Sequence, residues 1–119
     1  MTDRILATRT ACEVVKTDRR EFDLRDNKGR RFGYRVSIFR EVFEAVDAPV
    51  EYVAYWRVAP TMIGESFSVC PHALRGGKEY GAIPVRAERR FATLEEAIAA
   101  AETMFANARK SATKKAVLA

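Results

Sequence analysis

Few side chains in this chain are spaced to do chemistry. The one histidine, His72, follows Cys70 by two positions, a spacing that puts both side chains on one face of a strand and lets an imidazole serve a thiol as base. Pro71 between them predicts that the strand ends there, and no motif around Ser66, Ser68 or Cys70 supplies an oxyanion hole. With one His and two Cys, a three-histidine zinc site and a cysteine quartet are both excluded within one chain. Cys12 and Cys70 match no zinc or redox spacing and read as two small buried hydrophobes. "LRGGKEY" departs from the phosphate-binding P-loop at two positions: His72 stands where the first glycine belongs, and Glu79 replaces the magnesium-holding Ser or Thr. Gly76 and Gly77 are therefore turn residues. Glu95 and Glu96 are consecutive, so on a helix they diverge, and capping explains both. Glu41 and Glu44, amid basic residues, read as solvated ion pairs. The expectation is a non-enzymatic protein without cofactor, metal or small-molecule substrate.

What remains is charge. "RREFDLRDNKGRRFGYRVSIFREVF", residues 19–43, sets eight Arg and Lys among large apolar and aromatic side chains. Within it, residues 25–40 hold Arg25, Lys28, Arg30, Arg31, Arg35 and Arg40 against Asp26 alone. The chain's net charge of +5 is otherwise a property of its end: residues 109–119 contribute +4 from Arg109, Lys110, Lys114 and Lys115, leaving +1 for residues 1–108. A high pI is thus weak support for a polyanionic ligand, and the local cluster is the better signal. Nucleic acid is held by basic grooves with aromatic faces on which bases stack, about 1–3 kcal/mol each. Arg25, Lys28, Arg30, Arg31, Arg35 and Arg57 are the candidate phosphate contacts, with Tyr55 to stack and a mobile Lys114–Lys115 tail adding non-specific attraction. Arg86, Arg89 and Arg90 add charge to the last strand.

The elements that must position these residues follow from turn chemistry and periodicity. "DNKG" reads as a three-residue hairpin loop, Asn27 to Gly29, with opposing residue numbers summing to 56. That register sets Leu24 against Phe32 and Phe22 against Tyr34 on one face, and Glu21 against Arg35 and Arg25 against Arg31 on the other. "CEVVK" and "YRVSIFREVFEAV" have strand composition, with a bulge or bend expected near Phe39 where the alternation breaks. "VEYVAYWRV" is apolar at both parities and reads as a central strand. "SFSVC" reads as a short strand, "PHALRGGKE" as a loop, and "YGAIPVRAERRF" as an edge strand because Pro84 cannot donate to a ladder. "TLEE" is a capping box at Thr93, followed by a stripe of Leu94, Ala97, Ile98, Ala101, Met104, Phe105 and Ala108 to about residue 110. The predicted architecture is α+β: an antiparallel sheet of five or six strands with one C-terminal amphipathic helix across one face. Residues 1–110 form the domain and 111–119 a flexible basic tail. No apolar run is long enough to span a membrane, and "MTDRILATRT" lacks a secretory signal's character, so the expected location is cytoplasmic.

"RRFATLEEAIAAAE", Arg89 to Glu102, resembles the helix start of β-β-β-α DNA-binding domains of the AP2 and integrase N-terminal type, on Phe91, Thr93, Glu96 and Ala97. The resemblance implies contact with nucleic acid through the sheet face. The rival expectation is a protein-interaction or self-assembly module, such as a homodimer, using an apolar sheet face at Tyr52 and Trp56 with Met62 and Ile63 nearby.

Overall fold

The computed structural model describes residues 3–80 and 89–116. Two long strands dominate it. β1 (Ile5–Arg25) and β2 (Arg31–Ala45) form an antiparallel hairpin, and β4 (Gly64–Arg75) lies on β2's other side. β3 (Trp56–Val58) pairs with the start of β1, β5 (Lys78–Tyr80) with the end of β4, and β6 (Arg90–Phe91) with Phe67 and Ser68 of β4. The open sheet has the order β3-β1-β2-β4-β5, and one helix, α1 (Leu94–Lys115), packs on it, so the fold is α+β as predicted. The predicted edge strand around Pro84, and Arg86 with it, lies outside the described residues.

The hairpin loop forms as its turn residues dictate. Asp26 N–H donates to Arg30 O at 2.9 Å, Gly29 sits at φ +77°, and Arg25 opposes Arg31. Beyond it the register departs from expectation. Glu21 opposes Gly33, Arg20 opposes Tyr34 and Arg19 opposes Arg35, so Phe22, Asp23 and Leu24 together face Phe32 alone. Two extra residues preserve parity, which is why Phe22, Leu24, Phe32 and Tyr34 still share one apolar cluster although the partners changed. The predicted Glu21–Arg35 pair is not made. Near Phe39 the expected irregularity is present, with Val15 of β1 as the extra residue, and a second extra residue is Thr10.

The helix begins where its cap requires: Thr93 Oγ1 accepts from Glu96 N–H at 3.2 Å. Its stripe buries Ala97, Ala101 and Phe105 against Val36, Ile38, Phe67 and Val69, with Leu94, Ile98 and Met104 at the margin. It does not stop near residue 110. "SATKK" contains no breaker, and Ala112 packs against Phe22 and Phe32, so the helix holds to Lys115 and the predicted tail is helical over 111–115.

Three further expectations are corrected. "VEYVAYWRV" is not a central strand: only Trp56–Val58 is extended, at the sheet's edge, and Tyr52 lies exposed with φ +68°. Pro71 does not end its strand. It is buried opposite Val36, between the stretches of β4 that pair with β6 and β5, where no other described strand flanks it. Cys12 is exposed rather than buried.

Beyond the Val15 bulge a second small core forms from Ala7, Phe43 and Val58, capped by Met62 and Ile63. Phe43 is odd-numbered in β2 while Val36 and Ile38 are even, so this core lies on the face opposite the helix. Two residues before Phe43, on the same face, sits Glu41, whose side chain is 5% exposed. Arg9 reaches its Oε2 at 3.0 Å and Arg90 its Oε1 at 2.5 Å. Glu41 was expected to be solvated.

Candidate functional site

The hairpin end of the sheet is built around Asp26, a carboxylate only 6% exposed. Its Oδ1 accepts the backbone N–H groups of Lys28 and Arg30, both at 2.9 Å, and its Oδ2 accepts Arg30 Nε at 2.9 Å and an Arg75 guanidinium nitrogen at 3.0 Å. Burial pushes this carboxyl up, but the donors from Arg30, Arg75 and Lys28 outweigh it and hold it well below the usual carboxylate range. The contribution is therefore present above the unfolded value near pH 4 and lost only as pH falls through the lower folded value. A carbon-detected NMR titration of Asp26 should show its carboxylate still ionised at pH 3, with the tip amides of Lys28 and Arg30 unmoved. Titration at about the reference value would contradict this reading.

The β4–β5 turn docks beside that tip. Gly76 and Gly77, at φ +61° and +81°, make the tight two-residue turn that glycines permit without steric cost. Gly76 N–H donates to Arg31 O at 2.8 Å, and Arg19 donates to Gly77 O at 2.7 Å. From the other side arrives the C-terminal end of α1. Arg109 lies over the Phe22 ring at 5.8 Å, and Lys115 lines a shallow cleft with Arg75, Leu74 and Phe32. Arg20 fixes the helix along the way, donating to both carboxylate oxygens of Glu102 while stacking 4.0 Å above Phe105.

Three chain segments therefore converge at one end. Residues 19–35, 72–80 and 109–115 carry thirteen Arg and Lys against four Asp and Glu, a formal +9, while the remaining eight bases and twelve acids give −4. The distribution within that end is uneven. Arg30 and Arg75 serve Asp26, Arg31 and Arg19 flank Glu21 at 3.9 and 3.4 Å, and Arg35 pairs with Glu79 at 2.6 Å. Arg25 donates to the Gly29 carbonyl at 3.0 Å. Lys28, Lys78, Arg109, Lys110, Lys114 and Lys115 are exposed and make no ion pair among the described residues.

Of the sequence-predicted residues, Arg25, Lys28, Arg30, Arg31 and Arg35 are brought together here. Tyr55 and Arg57 are not. Arg57 opposes Leu6 on β1, nineteen positions from Arg25, on the order of 50 Å along a molecule whose long axis is 61 Å. Tyr55 precedes β3 and its hydroxyl accepts Val50 N–H at 2.8 Å. The rings whose side chains are described at this end are taken up by packing: Phe22 and Phe32 are buried, and Tyr34 sets its edge against Phe105 with centroids 5.7 Å apart. Trp56, expected on an apolar sheet face, packs edge-on against Phe43 and beneath Arg9. The sequence reading missed the helix contribution, whose signal was the absence of any Gly or Pro between Arg109 and Lys115.

On the face away from the helix, Cys70 Sγ lies 3.8 Å from His72 Nε2, and His72 Nδ1 lies 3.8 Å from Glu79 Oε2. The second distance is too long for a hydrogen bond, and Arg35 engages the same carboxylate. Among the described residues no group of three metal-ligating side chains converges, and no helix is long and apolar enough to cross a membrane. Comparison with protein-family models, curated proteins and solved structures finds no match for this chain.

Proposed function

We propose that the chain is a non-enzymatic nucleic-acid-binding module that holds phosphate backbone at its basic end. The observation that carries this reading is the convergence of the hairpin tip, the β4–β5 turn and the last two turns of α1 into one +9 region, with the unpaired cations concentrated on the helix. A polyanion approaching this end meets flexible ammonium groups first and finds arginines already oriented by Asp26, Glu21 and Glu79 behind them. The described rings at this end, Phe22, Phe32 and Tyr34, are taken up by packing, so the contact is made by cations to phosphates, which carry no sequence information. The resemblance of residues 89–102 to AP2-type domains points to the same ligand class, although there the sheet face, and here the sheet's end, would make the contact.

The test is a fluorescence-anisotropy titration of a labelled duplex over a series of salt concentrations. Engagement of about five or six phosphates gives a log–log slope of about −5. A slope near zero, or no binding at the lowest salt, would remove the proposal.

A further inference from the structure

β3 covers only Ile5–Ala7 of β1, so from about Arg9 to the tip this strand presents an open edge with no partner among the described residues. An uncovered edge of that length is a template for another strand. Its middle carries two exposed apolar side chains, Val14 (54%) and Val15 (39%). We infer that β1 pairs with β1 of a second copy of this chain, antiparallel, about a two-fold axis between Val14 and Val15.

The bulge selects that register. In a regular antiparallel pair, opposed residues keep their faces only if a two-fold relates positions of equal parity, which an axis between two residues cannot do. The extra residue Val15 reverses parity along β1: Glu13 faces the helix side with Arg40, and Lys16 shares that side opposite Ile38. An axis at Val14–Val15 therefore sets Glu13 opposite the second copy's Lys16, Cys12 opposite Thr17 and Ala11 opposite Asp18, each pair on a common face. Glu13 and Lys16 meet as opposite charges twice, once on each side of the axis. A bulge ordinarily turns an edge away from partners; here both bulges fall at the centre, and the valines they expose cover one another. At Thr10 the next bulge breaks the match, and beyond it Arg9 would meet Arg20, so the ladder ends at residues 11–18. The antiparallel arrangement also lays the +9 end of each copy beside the −4 remainder of the other. Such an isologous contact is self-complementary and closes at two copies.

Sedimentation velocity over a concentration series should show a concentration-dependent species of twice the 13.4 kDa chain mass. The variant Val14→Lys/Val15→Lys, at two exposed positions, gathers four ammonium groups at the axis and should remain a monomer with an unchanged circular-dichroism spectrum. Thr17→Cys, oxidised with glutathione disulfide, should yield a covalent dimer through Cys12, abolished by Cys12→Ser. A monomer at every concentration would overturn the inference. So would a dimer that persists in the double-lysine variant, or one that Thr17→Cys cannot cross-link.

Discussion

Replacing Lys110, Lys114 and Lys115 together with glutamate is expected to lower affinity for a duplex by about two orders of magnitude or more at low salt, and to flatten the salt dependence by about three in slope. The three side chains are exposed on α1 and have no acidic partner among the described residues, so their charge is available to a ligand. Arginines 30 and 35 each already serve a carboxylate at the tip, and their single alanine replacements should cost less than the helix triple. Acids in the last turn also oppose the helix dipole, so a triple-glutamine variant separates charge from helix stability: it should lose about half the logarithmic effect with unchanged helicity. Arg57→Glu, on β3 beside the far end of β1, provides the contrast in the monomeric Val14→Lys/Val15→Lys background and should leave affinity there nearly unchanged. A logarithmic loss from Arg57→Glu about one third of the helix triple's, in proportion to two charges changed against six, would mean that only net charge matters.

Glu41→Ala should destabilise the fold by about 3–5 kcal/mol, lowering Tm by more than about 10 °C. The carboxylate is nearly inaccessible, and its removal strands two guanidinium groups, one above Trp56 and one above Phe43. Burial pushes the Glu41 carboxyl up, while Arg9, Arg90 and the Ser68 hydroxyl more than compensate and hold it below the ordinary glutamate value. Its stabilisation is consequently present above the unfolded value and fades as pH falls through the folded one. Arg9→Ala removes a more exposed partner and should cost less. Chemical denaturation of the three proteins, read as midpoint and slope, decides the matter. A loss below about 1 kcal/mol for Glu41→Ala would return this residue to the class of solvated surface pairs.

The parts of this fold visible in the sequence were those set by local chemistry. "DNKG" determined the hairpin loop, Gly76–Gly77 the second turn, and Thr93 with its apolar stripe the helix and the side it buries. Strand partners were less visible: the broken alternation near Phe39 marked one irregularity, but nothing local gave the extra residues opposite Phe32 or at Thr10. Two extra residues opposite Phe32 moved Glu21 from Arg35 to Arg31 without moving any side chain to the other face. The single insertions at Val15 and Thr10 displaced the far half of β1 relative to β2, and there Glu41 shares the face of the second core. Composition misled where loops carry apolar residues: Val50, Tyr52 and Val53 look like strand but stand exposed before β3. The candidate site was legible as a charge cluster but not as a place. Five of its seven residues meet at the hairpin tip, Tyr55 and Arg57 do not, and only tertiary packing of Ala112 on Phe22 and Phe32 brings the helix lysines to them.

The most direct measurement is amide chemical-shift mapping of the chain as a short DNA duplex is added. The expected result is a contiguous set of perturbed amides in the loop between Arg25 and Arg31, in the turn from Arg75 to Lys78, and along the helix from Arg109 to Lys115. Perturbations confined to the opposite end, around Tyr55 and Trp56, or an unchanged spectrum at low salt, would contradict it.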